Sequence, residues 1–308
     1  MTGKLEKLQK LIEGYNKNGG RIVVRENESL SSHTSFRIGG PADLYLSPTD
    51  EKDLVALLGM VKETESRVFF LGNGTNLLFS DEGYRGAVIS LGEIRDIKVD
   101  ENTITAGAGA PLITVCKAAR DASLTGMEFA YGIPGSVGGA VYMNAGAYGG
   151  ETADILCDSR YIDTDDLTVR SLTLPEHNFG YRDSVYKHKN RVILSARFSL
   201  SHGDKDDITA QMNDIMERRV TKQPLDKPSA GSVFKRPEGH FVGQMIEESG
   251  LKGYSVGGAQ VSEKHAGFIV NKGGATASDV CALVEYIKGV ILENYGVSLE
   301  CEIINVGP

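Results

Sequence analysis

Long apolar runs are absent from this sequence, and none approaches the roughly 20 residues that a membrane-spanning helix needs. An excess of positive charge is absent too. Lysine and arginine total 33 against 41 aspartate and glutamate, a net charge of −8, which argues against nucleic acid as the main partner because phosphate binding requires a basic footprint. A small anionic substrate is still compatible with an acidic chain that carries one local basic pocket. Cysteines are few and scattered. Cys116, Cys157, Cys281 and Cys301 form no C-x-x-C pair, so neither a zinc site nor a disulfide framework is indicated, and free thiols in a reducing compartment are expected. Internal repeats and low-complexity tracts are missing as well. Near the start, Leu5, Leu8, Leu11, Ile12 and Tyr15 recur at helical spacing up to Gly19-Gly20, unlike the unbroken apolar segment of a signal peptide. A cytoplasmic chain is the expectation.

What is present is the composition of a folded protein too long for one small core. With 308 residues, 41% hydrophobic and 24% charged, two or three ordered domains are expected. From Leu44 to Leu91 helix and strand alternate: Asp50 to Val61 has the helical period, and Val68 to Leu71 and Ala87 to Leu91 read as buried strands. From Ile97 to Leu200 strands dominate, with one helix after Pro111, a residue suited to the first helical position. From Asp206 two amphipathic helices follow, marked by Ile208, Met212, Ile215 and Met216 and by Val280, Leu283, Val284, Ile287, Val290 and Ile291. Ser298 to Val306 reads as a final strand, with Leu299, Cys301 and Ile303 on one face and Glu300, Glu302 and Ile304 on the other. The class is α+β, with a boundary near Ser201 to Asp207.

Three segments carry candidate chemistry. The loop Gly72-Asn73-Gly74-Thr75-Asn76 follows a strand, and two glycines at this spacing let successive backbone N–H groups face one anion. It lacks the third glycine of a dinucleotide fingerprint and the Gly-Lys-Ser/Thr ending of a P-loop, so by itself it fits a plain tight turn equally well. Between Gly126 and Gly150 glycines are dense. There Gly132-Ile133-Pro134-Gly135-Ser136-Val137-Gly138-Gly139 continues to Asn144-Ala145-Gly146. Pro134 stands where a nucleophile elbow needs glycine, which disfavours a serine hydrolase. A close-approach surface for a pyrophosphate, with Ser136 and Asn144 as hydrogen-bond partners, fits better, and a glycine-rich structural connection is the alternative. The third segment, Pro228 to Pro237, sets Ser229 and Ser232 beside Lys235 and Arg236, with Lys222 upstream, a grouping suited to a diphosphate. Alone, it is more simply a solvated basic turn. Arg182 and Glu302 are unremarkable in isolation.

Together these segments resemble one family over nearly the whole chain. His33-Thr34-Ser35-Phe36-Arg37-Ile38-Gly39-Gly40-Pro41-Ala42, the Gly72 to Asn76 loop, the Gly132 to Gly149 run, Tyr181-Arg182-Asp183-Ser184, Gly231 to Pro237 and the Leu299 to Gly307 ending occur in the order expected of UDP-N-acetylenolpyruvoylglucosamine reductases. The sequence resembles the shorter subclass, because little more than one strand separates Tyr181 from the third region. Cys301, Ile304 and Gln244 depart from residues frequent in the family.

The resemblance implies a vanillyl-alcohol-oxidase-like (PCMH-type) fold. Residues 1–92 and 93–205 would form two FAD-binding subdomains, and residues 206–308 a substrate domain whose last strand carries Glu302 back to the flavin. Gly72 to Asn76 and the Gly132 to Gly146 residues would then hold non-covalent FAD. NADPH would reduce the flavin and leave, and a UDP-linked enolpyruvyl amino sugar would take its place, in peptidoglycan precursor synthesis. Ser232 matches the family's proton donor, and Arg182 and Glu302 its other two active-site groups. Lys222, Lys235 and Arg236 are candidates for the diphosphates of substrate or NADPH. A flavin-dependent sugar or alcohol oxidase of the same fold is the alternative enzyme, and a non-catalytic sugar-nucleotide binder the alternative outside enzymes.

Flavin oxidases often tether their cofactor through histidine, and neither glycine-rich segment contains one. Acid denaturation followed by ultrafiltration is therefore expected to release the yellow colour into the filtrate. Colour retained with the polypeptide would contradict non-covalent binding.

Overall fold

The structure, a computed structural model, describes residues 3–307. The chain forms two compact units, each assembled from separate stretches. One comprises residues 1–26, 43–73 and 86–217, the other 27–42, 74–85 and 218–308. These units do not follow the consecutive spans 1–92, 93–205 and 206–308. Residues 27–42 and 74–85 group with the C-terminal segment because their apolar residues Phe36, Ile38 and Leu78 belong to its core.

In the first unit the helix Gly3–Lys17 leaves Leu11 and Tyr15 of the predicted stripe half-buried and buries Leu5, Leu8 and Ile12. They share a core with Leu54, Leu57 and Leu58 of the helix Glu51–Thr64. That helix starts where Asp50 accepts a hydrogen bond from the Asp53 N–H at 2.9 Å, and it ends at Glu65 in the left-handed region. Beside it is a sheet ordered Val23–Ser29, Pro41–Ser47, Tyr84–Ser90, Val68–Leu71, whose last two strands are parallel. The chain crosses between units within the first three of these strands. A second, antiparallel sheet runs Val169–Thr173, Leu156–Asp163, Arg191–Ser199, Thr103–Gly107, Ile97–Asp100. The helix Leu112–Asp121 follows Pro111, which is the N-cap and not the first helical residue.

The glycine-dense segment contains a helix that its composition conceals, Val137–Met143. Gly138 and Gly139 lower helix propensity, yet an ideal Cβ at Gly138 would lie 3.0 Å from that of Ala108, a tight contact that glycine relieves.

The second unit has an antiparallel sheet ordered Ser229–Ser232, Phe268–Asn271, Ala259–Val261, Ser255–Val256. The helix Ala277–Tyr295 buries Val280, Leu283, Val284, Ile287 and Ile291 in its core. The final strand is shorter than expected. Only Ile304–Val306 forms a ladder, parallel to Leu77–Phe79, and upstream there is a single bridge from Cys301 to Phe234. The physical reason is a change of partner: Glu302 N–H donates to Val233 O, whereas Ile304 N–H donates to Asn76 O. Of the residues expected to alternate, Leu299 and Ile303 are buried and Glu300 is exposed, while Cys301, Glu302 and Ile304 are all half-buried. All four cysteines are free thiols. No helix among the described residues is long and apolar enough to cross a membrane.

One buried carboxylate ties the start of the chain to the helix Glu51–Thr64. Asp53 accepts from Tyr15 Oη at 3.0 Å, Arg21 N–H at 3.3 Å and Thr49 Oγ1 at 2.8 Å. Burial alone would raise its pKa, but the hydrogen bonds from Thr49, Tyr15 and Arg21 outweigh it and hold the carboxyl below its usual value. A depressed folded-state pKa stabilises the fold above the unfolded pKa and loses that contribution as pH falls through the folded one. Asp53→Asn should therefore cost about 1–3 kcal/mol at neutral pH, and the gap from wild type should narrow in acid. Denaturant unfolding at the two pH values measures this, and a pH-independent gap would contradict it.

Candidate active site

The Gly72 to Asn76 loop leaves the strand Val68–Leu71 and passes from the first unit into the second between Asn73 and Gly74. In the first unit its opening residues meet the second glycine-rich segment directly. Asn73 Nδ2 donates to Pro134 O at 3.1 Å, and an ideal Cβ at Gly72 would lie 2.5 Å from Ser136 Oγ. Gly132 is in the left-handed region, with φ +91°. Ser136 is buried and caps the helix Val137–Met143, its Oγ accepting from Gly139 N–H at 3.3 Å. Its hydroxyl therefore already serves the backbone. Gly72, Asn73, Gly132 and Gly135 are half-buried, so the two loops touch while leaving backbone accessible between small side chains. This fits a flavin diphosphate, which is held by backbone N–H groups at close approach.

The far end of the glycine-rich run meets Arg182. Asn144, buried and left-handed at φ 42°, accepts from Ala153 N–H at 3.0 Å and donates to Gly180 O at 3.1 Å. Its amide is thus engaged at both ends by backbone. Arg182, half-buried, donates from Nη2 to Gly146 O at 3.2 Å and lies over the Tyr181 ring at 5.3 Å.

In the second unit Gly74 has φ +62°, and an ideal Cβ there would meet His33 O at 2.1 Å. Thr75 is half-buried. Asn76 Nδ2 donates to Glu302 O at 3.1 Å. Glu302 N–H donates to Val233 O at 2.8 Å, and Val233 follows Ser232. Two residues far apart in sequence thus become neighbours, Ser232 exposed at the end of its strand and Glu302 half-buried. The cations differ in setting. Lys235 pairs with exposed Glu300 at 3.0 Å, Arg236 lies over the Phe241 ring at 4.0 Å, and Lys222 is exposed at the end of the helix Lys205–Lys222. Residues outside the sequence-level candidates also support the site: Val233 through its carbonyl, and Gly180 and Ala153 through their bonds to Asn144. No motif flags Gly180 or Ala153, because each contributes only backbone, whereas Val233 lies within the Gly231 to Pro237 motif.

Residues 42–171 match the family model described as an FAD binding domain, and residues 223–306 match the C-terminal domain of UDP-N-acetylenolpyruvoylglucosamine reductase. A UDP-N-acetylenolpyruvoylglucosamine reductase of Agathobacter rectalis is 46% identical, covering 97% of this chain and 99% of its own length. The protein of that name from Latilactobacillus sakei is 48% identical over 93% of this chain and 94% of its own. The crystal structure of UDP-N-acetylenolpyruvylglucosamine reductase (MurB) from Thermus caldophilus superposes with a TM-score of 0.78 at 34% identity, covering 93% of this chain and 99% of that one. The α+β fold with an FAD-binding part and a C-terminal domain defines an FAD-containing oxidoreductase. Within that class, the chain belongs to the UDP-N-acetylenolpyruvoylglucosamine reductase family.

Whether the Gly72–Ser136 approach belongs to a flavin cradle is open to a direct test. Gly72→Ala is expected to push Ser136 Oγ aside, spread the two loops and lower the visible flavin absorbance per chain, while the far-UV circular dichroism is retained. Adding Ser136→Ala should restore part of the flavin content. Full flavin content in Gly72→Ala would remove this contact from the cofactor site.

Proposed function

We propose that this protein reduces UDP-N-acetylglucosamine enolpyruvate to UDP-N-acetylmuramate with NADPH, through FAD, in peptidoglycan precursor synthesis in the cytoplasm. The observation that supports the reading most directly is the hydrogen bond from Glu302 N–H to Val233 O, which brings the backbone of Glu302 to the residue that follows Ser232. When bound, FAD supplies the hydride transfer, and the chain supplies orientation and charge.

Hydride delivery to the methylene carbon of an enolpyruvyl ether leaves negative charge shared between the second carbon and the carboxylate. Arg182 is assigned to that carboxylate, as a planar cation whose fork can bind both oxygens. Glu302 is assigned to the same developing charge, stabilising it best when it carries or shares a proton. Ser232 is assigned the proton that completes the second carbon. A serine hydroxyl is a weak acid, so it can serve only a strongly basic enolate. Its exposure at a strand end, after Gly231 at φ +78°, supports access to a ligand. Gly72 to Asn76 and the glycine-rich run from Gly132 to Gly146 are assigned to FAD, with Asn144 acting through Gly180 and Ser136 through the helix that it caps. Lys222, Lys235 and Arg236 are assigned to the diphosphates of substrate or NADPH. The Lys235–Glu300 pair is an exposed one, so a diphosphate displaces it at little cost.

Ser232 separates the two half-reactions. Flavin reduction by NADPH needs no proton at the sugar-linked carbon, whereas reoxidation by the enolpyruvyl substrate does. Ser232→Ala should bleach with NADPH at close to the wild-type rate and reoxidise about 10²- to 10⁴-fold more slowly. Ser232→Cys should fall between the two. Stopped-flow flavin absorbance reads each step, and wild-type reoxidation in the alanine variant would remove Ser232 as the proton donor.

A further inference from the structure

The loop that carries Arg182 rests on a buried polar cluster that the proposed reaction does not use. Ser159 lies in the strand Leu156–Asp163, paired on one side with Leu172 and on the other with Ala196, and it is fully buried. Its Oγ is 2.7 Å from His177 Nε2 and 2.6 Å from Tyr186 Oη. His177 is fully buried and Tyr186 nearly so. The protons in this cluster are determined by its partners. His177 Nδ1 lies 2.9 Å from Thr173 O, and a carbonyl only accepts, so Nδ1 carries the hydrogen and Nε2 is the acceptor. The Ser159 hydroxyl then donates to Nε2. Its single hydrogen is spent, so Tyr186 donates to Ser159 Oγ.

We propose that Ser159 is a positioning residue for Arg182, its one hydroxyl clamping both ends of the loop 178–185 between His177 and Tyr186. The inference rests on the assignment of Arg182 to the substrate carboxylate. Along the loop the backbone is tied down at further points. Asn144 Nδ2 donates to Gly180 O, Ser184 Oγ to Tyr142 O at 2.8 Å, and Lys187 Nζ to Arg182 O at 2.5 Å. Phe179 stacks on His177 with centroids 5.0 Å apart. Arg182 itself has φ +55°, and Asn178 has φ +46°. A residue with a long side chain holds the left-handed region only where its surroundings enforce it. The turn itself is closed by Gly180 and Asp183, which exchange both backbone hydrogen bonds at 3.1 Å, and the clamp anchors the ends of the loop around it. Burial pushes the pKa of His177 down and that of Tyr186 up to about 12, which favours the neutral forms that this pattern of donors requires.

The test uses the full-length, FAD-loaded protein with Ser159→Ala and, because a buried deletion can compromise folding, Tyr186→Phe. Amide hydrogen exchange over residues 178–187 should accelerate in both variants, with the remaining protection and the flavin content retained. Flavin reduction by NADPH should stay near wild type. Reoxidation by the enolpyruvyl substrate should slow about ten- to a hundredfold in Ser159→Ala, with a raised KM, and less in Tyr186→Phe. In an Arg182→Lys background the further effect of Ser159→Ala should shrink, since both changes act through one guanidinium. Unchanged exchange at 178–187 in both variants overturns the clamp. An undiminished kinetic effect of Ser159→Ala in the Arg182→Lys background overturns its action through Arg182. Wild-type kinetics in Arg182→Lys alone overturns instead the assignment of Arg182, while the exchange data still decide the clamp.

Discussion

The backbone of Glu302 is held on both sides, its N–H by Val233 O at 2.8 Å and its carbonyl by Asn76 Nδ2 at 3.1 Å. These two bonds organise the second unit around the proposed chemistry. The first sets the end of the chain beside the strand that carries Ser232. The second joins it to the last residue of the Gly72 to Asn76 loop. Buried and half-buried peptide groups must find partners, so once Leu299 and Ile303 are packed in the core the intervening polar backbone has few places to go. The backbone of Glu302 is thus fixed by hydrogen bonds to two segments far from it in sequence.

The first unit solves its positioning problem with buried polar side chains. Asn144 uses both ends of its amide on backbone, and Ser159 joins His177 to Tyr186. Such groups are costly when unsatisfied and rigid when satisfied, because the low local dielectric strengthens each bond while penalising its loss. A loop carrying an arginine with positive φ needs that rigidity. Asp53 follows the same logic at a different place, where three donors overcome the penalty of burying a carboxylate.

The glycines divide by physical cause. Gly40 is demanded by backbone approach, since an ideal Cβ would fall 2.2 Å from Asp81 O, and Gly83 combines such an approach, 1.9 Å from Pro41 O, with a φ of +82°. Gly74 has the same kind of cause in His33 O. Gly72 differs, because the group it approaches is the Ser136 side chain at the meeting of the two glycine-rich loops. A loop rich in glycine is therefore partly a consequence of packing and partly an opening for a ligand, and residue counts do not separate the two.

Periodic elements were legible in the sequence because their pattern is local. Leu5, Leu8 and Ile12, and Val280, Leu283, Val284, Ile287 and Ile291, fall on single helical faces, and they are buried as that spacing requires. The order of short motifs was equally legible, and it carried the family and the candidates Arg182, Ser232 and Glu302. The helix Val137–Met143 was not, because its two glycines weaken the local signal and the close approach of Gly138 to Ala108 involves a segment distant in sequence. The shortened final strand was not, because its ladder breaks where its partners change from Val233 to Asn76. Ser159, His177 and Tyr186 give no sign of one another along the chain. Helical and strand periodicity is written over a few consecutive residues, so the sequence by itself determined the elements and the types of group available. Which of those groups touch is set by sheet register and core packing between distant segments, and only the tertiary structure decided that.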